Sequence, residues 1–164
     1  MWRNFVLFVI NHFLSKTRFF RLKRFLLNSI RNVKIEKNVK IVGPIFFGKI
    51  NSFYVKTGTW IGRDFSIEGN GIVEIGNNVD VAPHVVLLTG THEIGNSSRR
   101  AGAGHQLTIV IEDGCWICSR ATLLGDIVIG HSSVVAACCF VNKNIKPNSL
   151  VGSSFQKEIK EYDE

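Results

Sequence analysis

Aliphatic residues recur every six positions through the second half of the chain. Ile75, Val81 and Leu87 set the spacing, and after a gap Ile111, Ile117, Leu123, Ile129, Val135 and Val141 keep the same phase. Four residues after the later ones stand Cys115, Ala121, Ile127, Ser133 and Cys139, mostly small or short. A period of six fits neither the 3.6 of an amphipathic helix nor the two of a half-buried strand. It fits a parallel β-helix, in which short strands stack coil on coil and each adds one large aliphatic residue to a shared column. Upstream, Ile35, Ile41, Phe47 and Phe53 are also six apart; the phase then slips by two before Ile61 and Ile67, and by two again before Ile75. Such slips predict corners of uneven length or small bulges. Gly62-Arg63-Asp64, Gly76-Asn77-Asn78, Glu112-Asp113-Gly114 and Gly130-His131-Ser132 follow aliphatic positions, where a chain turning a corner favours Gly, Asn or Asp.

The repeat has one long interruption. Leu87 and Ile111 are a whole number of hexads apart, so residues 88–107 can leave the coil and return in phase. This segment, LTGTHEIGNSSRRAGAGHQL, has Gly at 90, 95, 102 and 104 and no aliphatic period. Long loops on rigid scaffolds are where binding and catalytic residues gather. From Lys143 the repeat breaks down at Lys146-Pro147-Asn148, and a charged tail, QKEIKEYDE, closes the sequence. The expected organisation is an N-terminal helical arm over 1–33, a β-helix over 34–151 with a loop extruded at 88–107, and a tail over 152–164.

Charge is concentrated in the arm. Residues 1–31 hold Arg3, Lys16, Arg18, Arg21, Lys23, Arg24 and Arg31 without an acid, so the formal +7 sits there and the remainder balances thirteen bases against thirteen acids. A nucleic-acid binder carries its basic face on the folded body with a recognisable motif, and none is found here. The arm is also rich in large apolar residues, but its longest unbroken run, Phe5–Ile10, is too short to span a bilayer. Without a small-residue cleavage site after it, no secretory signal is read. Two readings stay open and are compatible: a basic amphipathic stretch lying on an anionic membrane surface, or helices packed against the β-helix or a neighbouring subunit. Cys115 and Cys118 form a lone C-x-x-C with no second pair at zinc spacing. Cys115 and Cys139 fall on inward positions and read as reduced core thiols, which implies a reducing, cytoplasmic compartment, with peripheral contact at the inner membrane face if the arm binds lipid.

THEIGNSSRR, then IVIEDGCWIC, then the stretch to KNIKPNSLVG, resemble the hexapeptide-repeat acyltransferases, above all sugar O-acetyltransferases of the galactoside, maltose, nodulation and colanic-acid type. The resemblance is strong over about 74–152, weaker over 35–73 and absent from the arm. It implies an all-β fold, a left-handed parallel β-helix of hexapeptide repeats, although the usual crossover preference is right-handed. It further implies a homotrimer with active sites between adjacent subunits, and acyl transfer from acetyl-CoA to a sugar hydroxyl, as in surface polysaccharide biosynthesis. Cys118 and Cys138 stand where the family pattern has Gly, and Leu124-Gly125-Asp126 replaces its L-P-G.

Moving an acetyl group from a thioester to an alcohol calls for a base to take the hydroxyl proton, and an imidazole suits the task because it ordinarily titrates near neutrality. The resemblance assigns this role to His92, in Thr89-Gly90-Thr91-His92-Glu93 at the mouth of the loop. The second ring nitrogen of such a base must be held in one tautomer, by Glu93 or by a backbone carbonyl. For coenzyme A the family pattern maps onto Ser119 and Ala137 beside the pantetheine arm and onto Asn142-Lys143. Lys157 and Lys160 match tail positions that face the cofactor phosphates, or are solvated surface charges. Trp116 reads as an aromatic wall beneath the channel. On the acceptor side stand Asp64, Glu93, Arg99 and Arg100. The arginines meet an anionic sugar, the phosphate of a lipid carrier, or nothing, and Asp64 is equally read as a plain surface acid. No metal is expected, since the histidines do not match a three-histidine site. N-acetylation of an amino sugar or nucleotide sugar uses the same base and donor, and a non-catalytic hexapeptide-repeat scaffold is the third reading.

Overall fold

A computed structural model of the chain describes residues 1–153. The helices α1 (Trp2–Phe13) and α2 (Phe20–Asn28) come first. A parallel β-solenoid of about six turns follows, each turn contributing one short strand to each of three faces. The first turn is β1 (Val33–Ile35), β2 (Lys40–Ile41) and β3 (Ile45–Phe47). The second is β4 (Ser52–Val55), β5 (Trp60–Ile61) and β6 (Phe65–Glu68), and the third is β7 (Ile72–Ile75), β8 (Asp80–Val81) and β9 (Val86–Leu88). There the chain leaves as a hairpin of β10 (Gly90–Ile94) and β11 (Ala101–Gln106). It returns as β12 (Thr108–Ile111), β13 (Trp116–Ile117) and β14 (Thr122–Leu124), then β15 (Ile127–Ile129), β16 (Val134–Val135) and β17 (Phe140–Val141), and ends at β18 (Leu150–Val151). Face A stacks β1-β4-β7-β12-β15, face B β2-β5-β8-β13-β16-β18, and face C β3-β6-β9-β14-β17.

The aliphatic residues do what their spacing predicts. Ile75, Val81, Leu87, Ile111, Ile117, Leu123, Ile129 and Val135 are all buried in one continuous column of core, as are Cys115 and Cys139. Their neighbours in sequence point outward, giving the alternation of a strand with one face in the core. At the A–B and B–C corners the residue three past the aliphatic peg has positive φ, except at the first B–C corner, where Ile41 is followed by the cis Gly43–Pro44 bond. Between faces A and B this residue is Asn38, Gly58, Asn78, Gly114, Ser132 or Asn148; between B and C it is Asp64, His84, Arg120 or Cys138. The left-handed conformation is cheapest for Gly and tolerable for Asn and Asp, which is why those residues mark the corners.

One phase assignment changes. Val55, not Phe53, is the partner of Ile35, because β1 and β4 pair Val33 with Phe53 and Ile35 with Val55. The slip of two residues therefore lies at the corner between faces C and A, over Gly48–Asn51, ahead of β4. Phe53 imitated a peg because β4 is long enough to bury both Phe53 and Val55. The second slip occupies the same corner one coil on, at Gly69–Gly71, and the hairpin leaves from that corner again.

The helices close the open end of the solenoid. Val6, Ile10 and Leu27 are fully buried over the first coil. Polar side chains satisfy the unpaired edges of the first strands on every face, which would otherwise be a template for another chain. Asn28 donates to the Ile35 carbonyl (2.9 Å) and accepts from its N–H (2.7 Å). Asn11 does the same at Ile45 (2.9 Å each way). On face B, Lys23 Nζ donates to the carbonyls of Ile41 (2.6 Å) and Lys16 (2.7 Å), and Arg24 to that of Val39 (3.0 Å). Lys23 is fully buried, and its burial pushes the ammonium pKa down to about 8.

Candidate active site

The hairpin stem is fixed by its own backbone and by the coil beneath. Leu107 N–H donates to Thr89 O (2.9 Å), and Ile72 N–H to Leu107 O (3.0 Å). The buried Thr89 hydroxyl donates to Glu68 O (3.0 Å) and accepts from Gly71 N–H (3.2 Å). Asp126 accepts from Thr108 N–H (2.6 Å) where the chain re-enters the solenoid. Gly69 and Gly71 make the passage possible. A Cβ on Gly71 would run into the carbonyl oxygens of Leu107 and Thr89, and one on Gly69, whose φ is +99°, would lie 2.7 Å from Gly90 N. The segment expected to be loop over 88–107 is thus an ordered antiparallel ribbon. Its alternation was unreadable because both ribbon faces are largely exposed, so no apolar side was needed.

In the ribbon Gly90 pairs with Gln106, Thr91 with His105 and His92 with Gly104; the register then shifts before Ile94 meets Ala101. The irregularity gives β11 one residue more than β10 between these pairs. Such bulges re-aim neighbouring groups. Here the Gly102 carbonyl comes within 2.9 Å of His92 Nδ1. A carbonyl only accepts, so Nδ1 carries the proton and Nε2 presents its lone pair. Among the described residues Nε2 has no hydrogen-bond partner. Glu93 turns instead to His105, with Oε1 3.1 Å from Nε2. Of the two tautomer-holding groups the sequence offered, the backbone carbonyl is the one in place.

His92 lines a cleft of about 430 Å³ together with Gly69, Asn70, Gly90, Thr91, Gly104, His105 and Gln106. Asn70 and Gln106 are amides suited to sugar hydroxyls, and the sequence reading missed both. Asn70 sits between the two glycines of the throat, a signal legible only once the hairpin is known to pass over it. Gln106 carried no signal.

The remaining candidates lie elsewhere. Ser119 and Ala137 stack on adjacent coils at the B–C corner, Cys138 N–H donating to Ser119 O (3.0 Å). Asn142 and Lys143 are exposed after β17, near the C–A corner. None of these four lines the His92 cleft of the same chain. Asp64 sits at the B–C corner with φ +57°, accepting from Arg63 Nε (2.9 Å) and facing His84 Nδ1 at 3.6 Å. Arg99 and Arg100 are at the hairpin tip, where Asn96 accepts from the N–H groups of Ser98 and Arg99 and Arg100 donates to Gly95 O (3.3 Å). Trp116 is half exposed on face B. Lys157 and Lys160, with the whole of the charged tail, lie outside the described residues. Among the described residues no group of three or more His, Cys, Asp or Glu is arranged to hold a metal ion.

No protein-family model matches the chain. Individual proteins do. A Schizosaccharomyces pombe protein carrying an acetyltransferase name is 38% identical over 92 residues, which is 56% of this chain and 44% of that protein. The galactoside O-acetyltransferase of Escherichia coli is 25% identical over 130 residues, covering 79% of this chain and 64% of that enzyme. The chain thus spans about half to two thirds of the length of these curated relatives. Among solved structures, a hexapeptide-repeat-containing acetyltransferase of Vibrio cholerae complexed with acetyl coenzyme A superposes with a TM-score of 0.75, at 24% identity over 99% of this chain and 86% of that one. In sequence and in fold alike, this chain is similar to the hexapeptide-repeat acetyltransferases.

Proposed function

We propose that the protein is an acetyl-CoA-dependent sugar O-acetyltransferase with His92 as its general base. The observation that carries this reading is the imidazole held through Nδ1 by the Gly102 carbonyl, beside a cleft walled by Asn70 and Gln106. Acetyl-CoA, when bound, supplies an activated acyl carbon; the solved Vibrio cholerae neighbour holds that molecule. His92 Nε2 takes the proton from the acceptor hydroxyl as its oxygen becomes the nucleophile, and returns that proton to the departing sulfur. The fixed tautomer means the ring need not reorient to receive it. Asn70 and Gln106 orient the acceptor through its other hydroxyls.

For the donor, the residues present fit a narrow, flexible chain. Ser119 and Ala137 form a strip of small side chains along one corner, with Asn142 and Lys143 able to meet polar and anionic groups further on. That strip is not part of the same chain's His92 cleft, which favours a homotrimer in which the hairpin of one subunit faces the B–C corner of the next. Half-exposed Trp116 and Phe140 on the outer faces suit a second copy as cover. The acceptor would be a sugar in a surface-polysaccharide precursor.

Thiol release from acetyl-CoA against a panel of sugars, amino sugars and nucleotide sugars tests the reading. His92→Ala should reduce turnover roughly 10²–10⁴-fold with folding unchanged. Undiminished turnover in that variant removes His92 as the base. A wild type inert toward the whole panel removes the sugar assignment.

A further inference from the structure

We propose that the outward face of the helical cap is a docking surface for an anionic lipid bilayer. The inward sides of both helices are accounted for: Val6 and Ile10 on α1, and Lys23 and Leu27 on α2, are buried over the first coil. At about 100° per residue, the side of α2 opposite Lys23 and Leu27 carries Arg21, Leu22 and Phe25, with Arg18 and Phe19 just before the helix. All five are exposed, Phe25 to 72%. The side of α1 opposite Val6 and Ile10 carries Phe8, flanked by Phe5 and His12. Phe5 and Phe8 are half exposed, Trp2 stacks on Phe5 (5.5 Å between ring centroids), and Phe8 packs on His12 (4.3 Å). Trp2 Nε1 donates to Ser29 Oγ at 2.8 Å, tying the start of α1 to the end of α2.

Charge selects the occupant. No acid occurs before Glu36, while Lys16, Arg18, Arg21 and Arg31 stand exposed around the aromatic residues. Exposed rings among cations that form no ion pair within the described residues match the headgroup region of an anionic leaflet, where aromatic rings and snorkelling arginines both find partners. α1 has 12 residues, so the contact lies in the interface plane and does not cross. The surface is separate from the His92 cleft, and the proposal stands whether or not the acetyltransferase reading does.

Co-sedimentation of the full chain with phosphatidylcholine vesicles, or with equal parts phosphatidylcholine and phosphatidylglycerol, reads it directly. Binding is expected to the mixed vesicles alone and to fall with added salt. Arg18→Gln combined with Arg21→Gln should lower partitioning roughly thirtyfold. Phe5→Ser with Phe8→Ser should abolish it while the melting curve and thioester turnover stay at wild-type values. Equal partitioning into both vesicle types, or binding unaffected by either pair of substitutions, overturns the proposal. So does a concentration-dependent association of the free protein that the Phe pair abolishes, since the face would then be covered by a second copy.

Discussion

Lys23 is a charged residue turned into a structural one. Its ammonium closes the carbonyl edge of the first coil, yet complete burial lowers its pKa from 10.5 to about 8. Between those values the unfolded chain holds the proton and the native chain has released it, so unfolding takes up a proton and stability rises with pH through that window. Thermal melts from pH 8 to 10.5 should show this rise, up to roughly 1.4 kcal/mol per pH unit, and Lys23→Met should remove it. A second residue acts through conformation alone. Cys138 is exposed with φ +58°, a backbone that costs an L-residue about 1–2 kcal/mol. Cys138→Gly should stabilise the protein by about 0.5–1 kcal/mol after the entropic cost of glycine, read as a higher melting temperature. That the resembled family has glycine at this place is the same physics seen from sequence. The inward thiols were legible because a strict period assigns direction; the lysine was not, since seven bases in one arm give no hint of which one turns inward.

The hairpin is the element that carries the proposed base. Its position in the sequence was plain, as an interruption that returns in phase, but its strands were not, because an exposed two-stranded ribbon carries little hydrophobic pattern. The bulge in β11 was equally hidden: nothing in AGAGHQ says that the carbonyl under the His92 imidazole will be that of Gly102, two residues from its register partner Gly104. The throat below offers the sharpest test. Gly71→Ala places a methyl group against two backbone carbonyls that cannot move without shifting the stem. It should cost about 1–3 kcal/mol in thermal unfolding. Turnover should fall with it, whereas Gly104→Ala, whose Cβ would lie an ordinary 3.8 Å from the His92 ring, should fold normally.

At the scale of the whole molecule, the solenoid has two kinds of end and three kinds of corner, and each has its own use. The N-terminal end is sealed by the helices. The A–B and B–C corners repeat with little variation, because all of them but the first B–C corner place a left-handed residue three positions past a peg. The left-handed coil rested on the family resemblance alone, whereas the stacked parallel coils and their aliphatic core follow from the aliphatic period and were readable in advance. The function of the arm was not, since amphipathicity reads alike whether the outer face meets solvent, a subunit or lipid. A cyclic threefold assembly would set three copies of the cap at one height on its axis, so that all of them meet a flat surface together.

The C–A corner behaves differently from the other two. Every departure from the hexad count that the chain tolerates collects there, as a few residues at Gly48–Asn51 and Gly69–Gly71 and as a full ribbon after Thr89, and the coil resumes its phase each time. Such a corner works as a splice point: segments can be lengthened, exchanged or trimmed at it while the stack above and below keeps its geometry. Chemistry carried on that edge can diversify without renegotiating the architecture that presents it.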